Sequence, residues 1–142
     1  MSKIAVVYWS GTGNTEMMAQ KVADGAQQAG AEVTLFTASE FSADNMDSFD
    51  AIAFGCPSMG AEQLEESEFE PMFQACEAKL GGKKIALFGS YGWGDGEWMR
   101  TWEETCTNDG AVLACESVIC NEAPDDLAEV ACMELGKALL SL

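Results

Sequence analysis

The sequence contains no histidine. That removes the side chain most used as a general base near neutral pH, and with it the commonest metal ligand. Positive charge is also scarce. The 7 Lys and Arg stand against 24 Asp and Glu, a formal charge of -17 over 142 residues. Phosphate backbones are bound by clustered Lys and Arg, so nucleic acid is excluded as a partner class. Anionic membrane surfaces are disfavoured for the same reason. The six cysteines, at 56, 76, 106, 115, 120 and 132, show no C-x-x-C spacing, which argues against a zinc ribbon or a thioredoxin-type dithiol. Long apolar runs are missing as well. The first, Ile4–Trp9, is too short for a signal-peptide core or a membrane span. With this inventory, any chemistry points to a bound group and not to an acid–base side chain.

The composition is that of a globular protein, 48% hydrophobic and 22% charged. The length suits one domain over residues 1–142, in which roughly 70% of the unfolded surface becomes buried. Cys56, Cys115 and Cys120 lie in apolar runs and Cys76 on a helical apolar stripe, so reduced core thiols are expected. Six such thiols and eight methionines suit a reducing cytoplasm.

Four short, continuous apolar runs read as strands of a parallel sheet covered on both faces: Ile4–Trp9, Ala51–Gly55, Ile85–Gly89 and Ala111–Ile119. Glu32–Phe36 is a weaker fifth. Helical periods fall between them. Met18, Val22, Ala26 and Ala29 mark one; Phe69, Met72, Phe73, Cys76 and Leu80 another; Trp98, Trp102 and Cys106 a third. Leu127, Val130, Ala131, Leu135, Ala138, Leu139 and Leu142 mark the last, opened by Pro124 with Asp125 and Asp126 on its first turn. Thr37–Phe49 is polar and reads as a long connection with weak helical character. The alternation predicts an α/β sandwich with a mostly parallel five-stranded sheet and right-handed crossovers.

Ligands of such sheets collect beyond the strand carboxyl ends. There the sequence places Ser10-Gly11-Thr12-Gly13-Asn14-Thr15, then Cys56-Pro57-Ser58-Met59-Gly60-Ala61-Glu62, then Ser90-Tyr91-Gly92-Trp93-Gly94-Asp95-Gly96, and lastly Cys120-Asn121-Glu122. The first loop suits an anion: two glycines let it curl, three hydroxyls and a carboxamide surround it, and a helix N-terminus follows. It has no lysine and is not a Walker A loop, nor does it carry the third glycine of a dinucleotide fingerprint. Neutral donors suit a tightly held phosphate monoester. A glycine-rich turn with a hydroxyl cap is the competing reading. In the third loop, Tyr91 and Trp93 among glycines suit a planar ring that stacks, with Met59 available for its other face. Packing of these side chains into the core is the alternative.

The stretch Tyr8-Trp9-Ser10-Gly11-Thr12-Gly13-Asn14-Thr15-Glu16, with Met59-Gly60 and Phe88-Gly89-Ser90-Tyr91-Gly92-Trp93-Gly94-Asp95-Gly96, resembles the flavodoxins, small FMN electron carriers, over essentially the whole chain. The short span between the start of the fifth strand and the last helix is similar to their short-chain class, which lacks an inserted loop in that strand. The resemblance implies a flavodoxin-like three-layer sandwich, a five-stranded parallel sheet in the order 2-1-3-4-5 with helices on both faces, and non-covalent FMN. It implies that Ser10, Thr12, Asn14 and Thr15 donate to the FMN phosphate, with backbone N–H groups through Gly11 and Gly13. Met59 would pack on the inner face of the ring and Trp93 on the outer face. Glu62 would accept from the ring N3–H, backbone around Gly92 and Gly94 would bond the pyrimidine edge, and Asn121 would hold the ribityl chain. Ser58, Ser90, Tyr91 and Asp95 complete the candidate site, and Gly60 resembles the peptide that turns toward the reduced ring. Ala61 departs from many relatives. If the turn at Met59–Glu62 becomes type II on reduction, Ala at its third position costs roughly 1 kcal/mol where Gly or Asn costs little.

The expected function is a low-potential one-electron carrier, a monomer that docks transiently and salt-sensitively on redox proteins with basic faces, without nucleic acid or membrane. Glu62, Glu65, Glu66, Glu68 and Glu70 would oppose added negative charge on the ring and form the docking face; a plain solvated helix start is the competing reading. An FMN-dependent NAD(P)H or quinone reductase is the alternative function. It would need a substrate pocket over the ring, which Trp93 would block. A receiver-like signalling domain would want acids after the first strand, where Ser10–Thr15 stands instead.

Overall fold

A computed structural model describes residues 2–59, 63–92 and 94–140. In chain order it contains β1 (Lys3–Tyr8), α1 (Asn14–Gln28), β2 (Glu32–Thr37), β3 (Ala51–Gly55), α2 (Phe69–Glu77), β4 (Lys84–Tyr91), α3 (Glu97–Asn108), β5 (Val112–Leu113), β6 (Val118–Asn121) and α4 (Asp126–Ala138). The sheet is parallel in the order β2-β1-β3-β4-β5, and β6 also pairs with β4. The five strand positions and their order match the sequence reading.

Alternate residues of each central strand point to opposite faces, and both faces are covered. Ala5, Val7, Ile52, Phe54, Ile85 and Leu87 pack under α2 and α3 with Phe69, Phe73, Trp98 and Trp102. Ile4, Val6, Ala51, Ala53, Ala86 and Phe88 pack under α1 and α4 with Met18, Val22, Cys132 and Leu135. This is why the strands read as unbroken apolar runs. On the second face, α1 and α4 touch backbone to backbone. A Cβ on Gly25 would stand 2.0 Å from the Met133 carbonyl oxygen, and one on Gly136 2.1 Å from that of Val22.

The run Ala111–Ile119 forms two short strands, where the sequence predicts one. Val112 and Leu113 pair with Lys84 and Ile85, while Val118 begins opposite Phe88. Residues 114–117 thus put two more residues on the edge strand than on β4, enough to break the ladder as a bulge does. The connection Thr37–Phe49 holds two short 3₁₀ helices, Ala38–Glu40 and Ala43–Ser48, each opened by a capping box. Pro124 stands one residue before the cap of α4. Asp125 is the cap, accepting from the Ala128 N–H at 2.8 Å. All six cysteines are free: four are buried, and Cys115 and Cys120 are half-buried.

Candidate functional site

The pairings of β1, β3 and β4 continue past the strand ends and bring three loops together. Trp9 N–H donates to the Gly55 carbonyl at 3.0 Å, Cys56 N–H to Phe88 at 3.1 Å and Ser58 N–H to Ser90 at 3.0 Å. Glycine 89 allows this approach, since a Cβ there would lie 2.2 Å from the Cys56 carbonyl oxygen. The same oxygen accepts the buried Trp98 indole N–H at 3.1 Å. A cleft of about 190 Å³ opens between the loops, walled by Trp9, Gly11, Thr12, Pro57, Ser58, Met59, Ser90, Tyr91 and Gly92. Larger cavities lie between α2 and α3 and along β6 and α4. Neither gathers the loops after β1, β3 and β4, which is where a doubly wound sheet binds its ligand.

The loop from Ser10 to Gly13 ends at α1 with Gly13 in the left-handed region, φ 97°, as the N-cap. No side chain caps this helix. Its first N–H groups therefore lack intrahelical partners and offer themselves, with the helix dipole, to an anion. The Gly13 N–H is itself committed to Ser10 Oγ at 3.0 Å. Beneath the loop, Thr15 and Ser90 are buried and their hydroxyls meet at 3.1 Å, tying α1 to β4. No Lys or Arg occurs between Lys3 and Lys21, so the donors here are neutral. A cradle of uncapped helix N–H groups and hydroxyls beside a cleft with aromatic and thioether walls fits a flat ring carrying a phosphate. Positions 13 and 92 leave room for it, since a Cβ at either would meet nothing within 4 Å.

Comparison with known proteins agrees with this geometry. The flavodoxin family model matches residues 6–136. The chain belongs to the flavodoxin family. It is 46% identical to the flavodoxin of Clostridium beijerinckii over 96% of this chain and 99% of that protein. It is also 46% identical to the flavodoxin of Megasphaera elsdenii, over 95% and 96%. The solution structure of two-electron reduced Megasphaera elsdenii flavodoxin superposes with a TM-score of 0.88, covering 96% of this chain and 97% of that one. The chain is a short-chain flavodoxin, an electron-transfer protein that works through bound FMN. Among the described residues no cluster of acids and cysteines could hold a metal ion, and no helix is long and apolar enough to cross a membrane.

The candidate residues fall into three groups within this flavodoxin fold. Gly11, Thr12, Ser58, Met59, Ser90, Tyr91 and Gly92 wall the cleft, and Ser10, Gly13, Asn14 and Thr15 form the loop and helix start beside it. Met59 is 37% exposed, an apt position for covering a ring. Gly94, Asp95 and Asn121 stand outside the cleft walls. Asp95 is exposed and held by Arg100, through its backbone carbonyl at 3.1 Å and its carboxylate at 3.0 Å. Asn121 Nδ2 donates to the Tyr91 carbonyl at 3.4 Å. Gly60, Ala61, Glu62 and Trp93 lie outside the described residues, and the turn at Met59–Glu62 with them. The two sides of that loop are joined, Met59 and Gln63 exchanging backbone bonds at 2.8 and 2.9 Å.

Two cleft residues, Trp9 and Pro57, are absent from the candidates. Trp9 directly precedes the loop, and a large side chain at the end of a central strand was the available signal. Glu65 also departs from expectation. It is 5% exposed, not a solvated acid of the docking face. It takes N–H bonds from Ser67 at 2.8 Å, Glu68 at 2.7 Å and Phe69 at 2.9 Å, and the Ser67 hydroxyl as well. Burial raises its pKa, but these bonds to the charged form outweigh burial and hold the carboxyl below its ordinary value. Glu65 therefore secures the start of α2.

Proposed function

We propose that residues 1–142 act as a single unit, not as an enzyme, in which each loop does one job for an FMN that shuttles single electrons between proteins. When bound, FMN supplies the redox chemistry, and the chain sets binding, exposure and potential. The observation that carries this reading is the uncapped N-terminus of α1 opening beside an aromatic- and thioether-walled cleft at the strand ends.

In this reading Ser10, Thr12, Asn14 and Thr15 hold the phosphate with the N–H groups of the α1 first turn. Met59 and Trp93 exclude water from the two ring faces. Backbone at Gly92 and Gly94, the Glu62 carboxylate and Asn121 fix the ring edge and the ribityl chain, with Ser58, Ser90, Tyr91 and Asp95 completing the surround. Glu66, Glu68 and Glu70 place negative charge nearby, which disfavours further negative charge on the ring and suits transient docking on basic faces of redox partners by a cytoplasmic monomer. A reductase would need a second organic substrate stacked on the ring, in space that Met59 and Trp93 would fill.

A spectroelectrochemical titration of the FMN-loaded chain, with NADH oxidation measured in parallel, tests this. Two separated one-electron steps with negligible NADH turnover are expected. Hydride-driven two-electron reduction at a catalytic rate would overturn the carrier reading.

A further inference from the structure

A second cavity, about 280 Å³, opens over the ends of β1 and β2, and its walls include Tyr8, Trp9, Glu16, Thr37, Ser39 and Glu68. Trp9 is shared with the flavin cleft. Its indole is held in place, with Nε1–H donating to Glu68 Oε1 at 3.0 Å. On the facing wall the Tyr8 hydroxyl donates to Glu16 Oε2 at 3.5 Å. Each carboxylate so engaged uses one oxygen, and among the described residues no Lys or Arg pairs with either acid. Burial and the neighbouring charges of Glu16 and Glu40 together raise the Tyr8 phenol above its ordinary pKa, so this recess resists a further negative charge. Hydroxyls of Thr37 and Ser39 complete a rim of oxygen acceptors.

These parts share one chemistry. A flat aromatic wall, two carboxylates with an oxygen each to spare and several hydroxyl acceptors match a planar cation that donates in several directions. An ammonium is a compact, strongly hydrated point charge and would use the carboxylates but gain little from the indole face.

We propose that this recess receives an arginine side chain of a redox partner, its guanidinium laid on Trp9 and held by Glu16 and Glu68. The assignment of the arginine to a redox partner rests on the electron-carrier reading. An anchor here fixes the partner's orientation beside the flavin cleft without covering Met59, which lines the cleft and not the recess; the recess meets the flavin site at Trp9 and Ser10. General negative charge attracts any basic surface, whereas this recess selects one side chain.

The test is an NMR titration of the FMN-loaded chain, labelled at its indole nitrogens, with N-acetyl-arginine amide and separately with N-acetyl-lysine amide at constant ionic strength. A saturating shift of the Trp9 indole N–H is expected, tighter for the arginine amide by severalfold. Glu16→Gln and Glu68→Gln should each weaken it about fivefold, the scale of one charged contact at a partly exposed site. Glu68→Gln keeps an acceptor for the indole N–H, so it tests charge without releasing Trp9. Equal response to both amides, shifts shared by every tryptophan, or insensitivity to Glu16→Gln would overturn the proposal. The flavin absorption band, read in the same tube, separates the two readings. A chain that never holds FMN defeats the carrier assignment, while a yellow chain with an unmoved Trp9 signal defeats only the arginine recess.

Discussion

The hydroxyls of Thr15 and Ser90 meet at 3.1 Å beneath the phosphate loop, both side chains buried. Thr15→Val keeps the shape but leaves the Ser90 hydroxyl without its partner, at a cost of about 1–3 kcal/mol. Ser90→Ala does the converse. Removing both hydroxyls should cost less than the sum, because no buried group is then left unsatisfied. Urea unfolding of the two single variants and the double measures this coupling. FMN dissociation should rise in both single variants, because Thr15 stands in the phosphate cradle and Ser90 walls the cleft. Strictly additive stabilities would show that the contact carries no energy.

Three glycines separate strain from space. Gly13 has φ 97° and open space where a Cβ would project, so Gly13→Ala costs backbone strain of about 1–2 kcal/mol and also disturbs the cradle. Gly30 has φ 100°, equally open space and a position at the far end of α1. Gly30→Ala should lower stability by a similar amount and leave FMN affinity unchanged. Gly92 has open space at the cleft without a positive φ. Gly92→Ala should leave apo stability within about 0.5 kcal/mol and weaken FMN binding. Thermal melts of the apo chains and fluorescence titration with FMN distinguish the three patterns.

The fold was legible because each central strand is apolar on both faces and each loop after a strand carries small polar residues. The edge strand was not. Nothing in Ala111–Ile119 announces that residues 114–117 fall out of register, since the break is set by what β4 can pair with. The cradle loop was legible from glycines and hydroxyls, but the partner of the Gly13 N–H was not, because Ser10 lies three residues away and only the curled backbone brings them together. Glu65 was misread for a related reason. Five acids in nine residues look alike as a string, and only the path of the chain buries one of them beneath the start of α2.

That distinction divides the acidic run by effect. A carboxylate about 10 Å from the ring contributes about 0.4 kcal/mol at water's dielectric, or roughly 20 mV for one electron before salt screening. Glu66→Gln, Glu68→Gln and Glu70→Gln combined should therefore raise the second reduction potential of bound FMN by some tens of millivolts at low ionic strength, with melting behaviour little changed. Glu65→Gln should instead lower the melting temperature, since an amide oxygen is a weaker acceptor for the three backbone N–H groups it meets. A redox titration in which the triple variant matches the wild type would remove the acids from any role in tuning.

Two glutamates should shape the pH dependence of stability in opposite directions. Glu65 has its pKa lowered on folding, so its contribution is present above the ordinary carboxylate range and is lost as pH falls below it. Glu77, near the end of α2, behaves in reverse. Burial, then a hydrogen bond to Asp109 and the charges of Asp109 and Glu70, raise it from 4.5 to about 7. A carboxyl that holds its proton more tightly when folded adds stability that is complete below pH 4.5 and lost as pH rises through about 7. The two acids facing Glu77 repel it once it ionises. Glu77→Gln removes that titration and keeps a donor for Asp109. Its stability relative to wild type should be near zero at pH 4.5 and should grow to about 1–2 kcal/mol by pH 8. Urea unfolding across that range checks it, and a constant offset between the two curves would mean that Glu77 ionises in the folded chain as freely as in the unfolded one.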